Sequence, residues 1–470
     1  MSLPPTIDRS AARAEQRETP QRLASAFDSV YFLMYDGWEK ELESNRWHYA
    51  RRWARHFPVT LLQPRQRFGR IKKAAPTTAI ENCEILPILE QGRPTTPLRA
   101  LVQTAQVMDH MSERGHSRPL LWCYNPLLAG LYAAVPAVAR VYHASENYFD
   151  FDDMPDFFYR DVEAAIRLSD VVIPVSSGVA DAIRTRVPSA RVQLVTNGCD
   201  TSHYRATGDL SPAVAAERGF ERIAVFAGNI NSRVDFELVG KAAEDETTLL
   251  IFAGPVGSLS ADDHELWRRT VRRKNVRHLG TMSSAELAAL YRSADLGFIP
   301  YRHDRLLVRN GFPLKTLEMA ATGLPVVASR MEPIADLASA IVVAEDDAQF
   351  LESFSSLSRS ALTEQARVEL FEVAAANDYD RKFDQVAGYV MAAIPENGHA
   401  RTRLDDLLSY VGYDSWRTSC RRMIRLSRPS LLWRAVLVTY ENFAKIVPSE
   451  TRRRVVPAGL REWARNRTAE

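Results

Sequence analysis

Cysteine is scarce in this chain, and the few that occur are scattered. Cys83, Cys123, Cys199 and Cys420 are the only four in 470 residues, and no two form a C-x-x-C pair. That rules out a zinc ribbon or a disulfide framework and fits reduced thiols in the cytosol. Charge of one sign is also lacking. The net charge is +2, so no whole-molecule field draws the chain to nucleic acid, and no recognition motif for it is present. Long apolar runs are interrupted: the uncharged stretch Pro119 to Ala139 holds 21 residues, enough for a span, but Asn125-Pro126 and Pro136 break it. A strand, a turn and a short helix fit it better. Residues 1–24 are polar, without the apolar core of a secretory signal, and are expected to form a mobile arm. No repeat of solenoid period is visible.

What remains is an ordinary globular composition, 46% hydrophobic and 25% charged, with a length that suggests two to three domains. Short apolar runs alternate with helical patterns in two similar halves. In the first half strands are expected at Val30–Tyr35, Val59–Leu62, Cys83–Leu86, Pro119–Tyr124, Ala139–Tyr142 and Val171–Val175, with Val192–Thr196 closing the sheet. The second half restarts at Arg222–Ala227 and continues with Thr248–Ala253, Val276–Leu279, Leu296–Pro300, Leu324–Ala328 and Ile341–Val343. This is the rhythm of parallel, doubly wound α/β domains, which take ligands at the carboxyl ends of their strands. The boundaries read as an arm 1–24, a first domain 25–204, a linker 205–218, a second domain 219–390 and a helical extension 391–470.

The stretch Gly311 to Ser329, GFPLKTLEMAATGLPVVAS, organises the second half. Pro313 suits the first helical turn. Leu314, Leu317 and Ala321 recur at helical spacing as a buried stripe, Gly323 suits a left-handed C-cap, and an apolar strand follows. Lys315 and Glu318 stand three apart near the helix start. They form either a solvated ion pair or a ligand site: a lysine at a helix N-terminus strengthens a phosphate site, and a carboxylate one turn on accepts from a ribose diol. Gly228-Asn229, at the end of a predicted strand, lead to Arg233 and the next helix, a pattern suited to cradling a diphosphate; the alternative for Arg233 is an exposed loop arginine.

PLKTLEMAATGLPVVAS resembles the donor-site signature of GT-B glycosyltransferases, closest to the family-four-like enzymes of bacterial surface polysaccharide assembly. VVIPVSSGVADAI, VQLVTNGCDTSHY, FAGNINSRVDFELV and NVRHLGTMSSAELAALYRSADLGFIPYR follow the family's order, so the resemblance covers roughly residues 25 to 390. Many members carry Glu-x7-Glu; here the first position is Asn310, as in members with a P-x-K-x-x-E signature. The resemblance implies an α/β fold of GT-B type, two Rossmann-like doubly wound domains facing a cleft, plus a basic helical C-terminal extension. It implies a sugar transferase without a metal or cofactor. The donor would be a nucleoside-diphosphate sugar, UDP- or GDP-linked, held by Gly228, Asn229, Arg233, Asn310, Pro313, Leu314, Lys315, Thr316 and Glu318. The acceptor would be a saccharide or a lipid-diphosphate-linked saccharide at the cytoplasmic membrane face. Two other readings are a GT-B-shaped sugar-nucleotide epimerase and a non-catalytic saccharide- or partner-binding relative.

An attacking hydroxyl must lose a proton, and a carboxylate or histidine can take it. Asp36, His143 and Glu146 fall at predicted strand ends and are the candidates, with loop capping as the alternative for each. The cluster Asp150, Asp152, Asp153 and Asp156 contains Asp-x-Asp, but it precedes a helix near Pro155, where acids favour the N-terminus. Asn45–His56 reads as a helix rich in Arg and Trp, either an amphipathic surface helix or a face near a lipid-linked acceptor. Residues 64–80 read as a basic loop. Residues 401–470 hold 15 Arg and Lys against 7 Asp and Glu, with Trp416, Trp433, Tyr440 and Phe443 interleaved. Such a segment suits an anionic membrane surface, or a helical appendage packed across the domains.

Overall fold

The computed structural model describes residues 25–411, except 39–40, 67–76, 91–96, 152–153, 206–207, 209, 216, 218, 304–309 and 396–397. Most of the basic extension, including Trp416, Trp433, Tyr440 and Phe443, and the centre of the 64–80 loop therefore lie outside the described residues, as do residues 1–24.

Two six-stranded parallel sheets carry the fold. The first contains β1 (Ser29–Leu33), β2 (Val59–Gln66), β3 (Cys83–Leu89), β4 (Pro119–Cys123), β5 (Ala139–Ala144) and β6 (Val171–Pro174) in the order β3-β2-β1-β4-β5-β6. The second contains β7 (Arg222–Ala227), β8 (Thr248–Ala253), β9 (Val276–Gly280), β10 (Leu296–Ile299), β11 (Val326–Ser329) and β12 (Ile341–Ala344) in the order β9-β8-β7-β10-β11-β12. The two orders are the same, and each reverses direction beside its first strand, where a crevice opens at the carboxyl ends. Most strands lie buried between helical layers, which explains their near-continuous apolar runs; the edge strand β9, VRHLG, is largely uncovered. Val192–Thr196 differs from expectation. It follows β6 through one bridge, Val172 to Val192, and backbone bonds such as Gln193 N–H to Val172 at 2.8 Å, without a continuous ladder.

The first-domain helices are α1 (Asn45–Ala54), α2 (Pro97–Arg114), α3 (Ala129–Ala134), α4 (Asp156–Leu168) and α5 (Ser177–Arg186). The second domain carries α6 (Thr201–Arg205), α7 (Phe236–Ala242), α8 (Ala261–Thr270), α9 (Ser284–Ser293), α10 (Leu314–Ala321), α11 (Asp347–Ser356) and α12 (Glu364–Ala376). α13 (Tyr379–Ala393) and α14 (Leu404–Val411) then return to the first domain. Tyr379, Phe383, Val386 and Val390 of α13 join Tyr49 and Trp53 of α1 in one cluster on the first sheet. Leu404, Leu407 and Leu408 of α14 pack with α3 and α4 on its other face. α14 starts the extension predicted for 391–470, and it is packed.

The chain therefore crosses between domains twice, and earlier than a linker at 205–218 would require. Cys199 and Tyr204 already belong to the second domain's core. Outward and return crossings lie side by side. Cys199 N–H donates to Asn377 O at 3.2 Å, and Tyr379 N–H to Cys199 O at 3.0 Å. The strands touch so closely that a Cβ on Gly198 would stand 2.6 Å from the Asn377 carbonyl oxygen. α1 packs by one face: Tyr49 and Trp53 are fully buried, and Arg52, which its arginine-rich sequence does not mark as buried, lies beneath α13 with its Nε 2.7 Å from Asp380 Oδ1. Arg46, Trp47 and Arg51, with Asn45 and His48, line the space between the domains.

Candidate active site between the domains

The carboxyl ends of both sheets face one cavity of about 850 Å³, within the roughly 300–1,000 Å³ of small-molecule sites. Its second-domain wall is built by interlocking turns. Gly228 follows β7 at φ +133° and Gly254 follows β8 at φ +140°, backbone that only glycine adopts readily. A Cβ on Gly254 would sit 2.1 Å from the Gly228 carbonyl oxygen, and one on Gly228 would sit 2.5 Å from Lys315 Nζ. Small residues are needed here because two backbones and a lysine head share the space.

Lys315 stands in the first turn of α10. Its Nζ donates to the Tyr301 hydroxyl at 3.0 Å and lies 4.0 Å from the Phe226 ring centroid, so an aromatic floor holds the charge in place. Pro313 is the N-cap of this helix, one position before the first turn expected for it, and supplies no side-chain cap. The Thr316 N–H turns back to the Pro313 carbonyl at 3.2 Å, and no acidic residue occupies that first turn. Glu318, one turn on, receives the Tyr291 hydroxyl at 3.4 Å. Burial raises its pKa from 4.5 to about 7, against the pull of the Tyr204 hydroxyl and of Lys315.

Arg233 closes the other side. Its guanidinium donates to Glu146 Oε1 at 2.6 Å, so a side chain from the β7 loop meets one from the β5 loop across the cavity. A second cross-domain contact lies nearby: Asn310 Nδ2 donates to Asp150 Oδ2 at 3.2 Å. A third joins the Asn197 amide to the Phe312 carbonyl at 2.8 Å, next to the start of α10.

Residues 221–360 match the model of a family described as glycosyl transferases group 1. No curated protein matches the chain. Among solved structures it is similar to sucrose-phosphate synthase from Thermosynechococcus elongatus, at TM-score 0.60 and 14% identity over 77% of this chain and 98% of that one. It is similar to a trehalose-6-phosphate protein from E. coli bound with UDP-2-fluoro glucose, at TM-score 0.57 and 11% identity over 77% of this chain and 99% of that one. Anabaena HepE in complex with UDP and glucose gives TM-score 0.55 and 14% identity over 78% of this chain and 100% of that one. The paired sheets have the GT-B arrangement, and the family match covers the domain that carries Arg233, Lys315 and Glu318. The chain has a GT-B fold, and its second domain is similar to glycosyl transferases group 1.

The structure brings together only part of the set expected from the sequence. Gly228, Asn229, Arg233, Asn310, Pro313, Leu314, Lys315, Glu318 and Glu146 all line the cavity. Leu314, expected in the buried stripe with Leu317 and Ala321, is half-buried and packs against the first domain's core. Thr316 does not line the cavity: it is fully buried in α10, facing the domain interior.

His143 also departs from expectation. It is the fifth residue of β5, fully buried, with its ring stacked on Tyr124 at 4.9 Å, and it does not line the cavity. The Tyr124 hydroxyl donates to Asn45 Oδ1 at 2.7 Å, so the 3.1 Å contact with His143 Nδ1 places the imidazole proton on Nδ1. Burial pushes its pKa from 6.5 down to about 3, so it is a neutral core group and not a base in the cavity. Asp36 lies outside the cavity lining as well, half exposed and paired with Arg65 at 2.8 Å. Asp156 opens α4, which fits the capping reading of the acidic cluster, whereas Asp150 ends a one-turn helix and accepts from Asn310; Asp152 and Asp153 lie outside the described residues.

Three participants carried no signal of their own. Tyr204 and Tyr291 reach Glu318 from α6 and α9. The N-terminal end of α1, with Asn45 and His48, lines the first-domain wall. Only the packing of α6 and α9 beneath α10, and of α1 against the junction, brings them there.

No described helix is long and apolar enough to cross a membrane.

Proposed function

We propose that the chain moves a sugar from a nucleoside-diphosphate sugar to a saccharide or lipid-linked saccharide. The second domain grips the donor. Lys315, Arg233 and the N-terminus of α10 face the diphosphate, and Glu318 accepts from the ribose diol. The neighbours crystallised with UDP, UDP-glucose or UDP-2-fluoro glucose favour a uridine donor over the guanosine alternative. The observation that carries the reading is the position of Lys315: its ammonium is fixed over Phe226, against the Gly228 turn and at the start of α10.

In the transfer the acceptor oxygen bonds to the anomeric carbon, and the bond from that carbon to the β-phosphate oxygen breaks with its electron pair. The nucleoside diphosphate leaves, and the acceptor proton passes to a carboxylate in the cavity and then to water. Glu146, from the first domain, is the carboxylate we assign. Charge grows on the diphosphate as the bond breaks, so fixed cations favour the transition state over the ground state. In this reading those groups balance the leaving charge and no cofactor enters. The acceptor comes in along the first-domain wall, past α1. The basic segment 401–470 would hold the enzyme on an anionic membrane surface, as a lipid-linked acceptor requires.

Lys315→Ala is expected to lower kcat/KM by roughly 10²–10³, about 2.7–4 kcal/mol of barrier. Steady-state transfer from a radiolabelled nucleotide sugar measures this, and turnover within about twofold of the parent overturns the assignment.

A further inference from the structure

We propose that Glu146 and Arg233 form a latch that the donor releases: the incoming diphosphate takes the guanidinium, and only then is Glu146 free to meet the acceptor. This rests on the reading of the second domain as the diphosphate site. Both side chains line the same cavity, and their 2.6 Å contact occupies the place where the donor's phosphate charge would lie. Until a donor binds, the carboxylate stands in for the phosphate.

The two partners are not equally mobile. The Arg233 backbone is tied on both sides: its N–H donates to Asn231 Oδ1 at 3.0 Å, and its carbonyl accepts from Arg302 N–H at 2.9 Å. The segment after β5 is tied further along, by the Asn147 cap on Phe149 N–H at 3.2 Å and by the Asp150–Asn310 contact at 3.2 Å. Glu146 lies between the end of β5 and these ties; its side chain is 33% exposed and that of Arg233 37%, so the difference between the partners lies in the Arg233 backbone ties. A pair this wet is weak. A diphosphate brings more negative charge and also meets Lys315 and the α10 N-terminus, so it wins the competition for Arg233. Asn310 then has a role suited to an amide: it holds the Glu146–Asp150 segment against the second domain while the latch opens. The carboxylate thus meets the acceptor only with donor in place, so the donor binds first.

A competitor and a helper give opposite signs. If Glu146 competes for Arg233, its removal tightens diphosphate binding. If it orients Arg233 for the phosphate, its removal weakens binding. Affinities of UDP, GDP, dTDP and ADP by titration calorimetry separate the two on the full-length enzyme, Glu146→Gln, Glu146→Ala and Lys315→Ala. The latch predicts roughly two- to tenfold tighter binding of the preferred diphosphate by both Glu146 variants, together with loss of sugar transfer. Equal or weaker binding by folded Glu146 variants, with Lys315→Ala still impaired, overturns the latch and leaves the donor site standing. Binding of none of the four by the parent, or of all four undiminished by Lys315→Ala, overturns the donor site itself.

Discussion

Glu318 meets two opposed influences. Burial disfavours its charge, while Tyr204, Lys315 and Tyr291 favour it; burial wins, and the pKa stands at about 7 against 4.5 for an ordinary glutamate. Between those values the folded chain keeps a proton that the unfolded chain has released. The stability this carboxyl contributes is therefore fully present below 4.5 and is lost as pH rises through 7. Ligand binding runs the other way, because a ribose diol donates and the ionised carboxylate accepts. Nucleotide-sugar affinity is expected to climb with pH through 7, by up to roughly tenfold per unit below it, and to be flat in Glu318→Gln. The diphosphate of a nucleotide sugar is doubly esterified and does not titrate in this range, so calorimetry across pH isolates the carboxyl. An equally steep profile in Glu318→Gln overturns the assignment. Lys315 and Glu318 were legible in the sequence because their spacing on one short helix fixes them relative to each other. His143 and Asp36 were not, since position near a strand end does not say whether a side chain turns into the cavity. His143 lies inside the last turn of its strand, between Tyr49, Trp122 and Tyr124.

At the scale of elements, the site depends on turns that admit no side chain. Gly254 combines a left-handed backbone with a neighbouring backbone oxygen 2.1 Å from any Cβ, and backbone cannot step aside as a side-chain tip can. Gly254→Ala is expected to destabilise the enzyme by about 2–4 kcal/mol. Gly228→Ala shares the left-handed backbone strain but meets the Lys315 side-chain end rather than backbone, so it should cost less stability than Gly254→Ala and more donor affinity. Urea unfolding of both variants beside diphosphate titration checks this, and an unfolding midpoint for Gly254→Ala equal to the parent's contradicts it. The twelve strands could be read ahead of the structure because parallel strands buried on both faces leave short apolar runs between turn residues. Val192–Thr196 has the same look, yet it lies at the sheet's edge with Leu194 exposed, and local composition cannot distinguish a laddered edge strand from a segment that follows one loosely. For α1, a run of arginines reads as solvent-facing. The sequence does not show that Asp380, more than 300 residues away, covers Arg52.

At the scale of the whole molecule, the domains are not consecutive in sequence. The chain leaves the first domain near Asn197, builds the second, and returns at Asp378 to lay α13 across α1. Such a return has no local signature, because an amphipathic helix after a βα domain packs equally well on the domain it has just left. Its consequence is energetic: a core that encloses the first sheet depends on residues at the far end of the chain. Phe383 is 6% exposed and meets the Trp53 ring edge-on at 4.8 Å. Phe383→Ala removes a ring from that core and should cost about 3–5 kcal/mol. The loss should appear where the packing is, not where the sequence position suggests. Amide hydrogen exchange should therefore quicken in β1 and β4, whose Val30, Phe32, Leu120 and Trp122 share this cluster, while β7, β8 and β10 keep their protection. Equal quickening in both sheets would mean that the crossings bind the two domains into one cooperative unit. The donor domain could then not open and close on its ligand independently of the first domain's core.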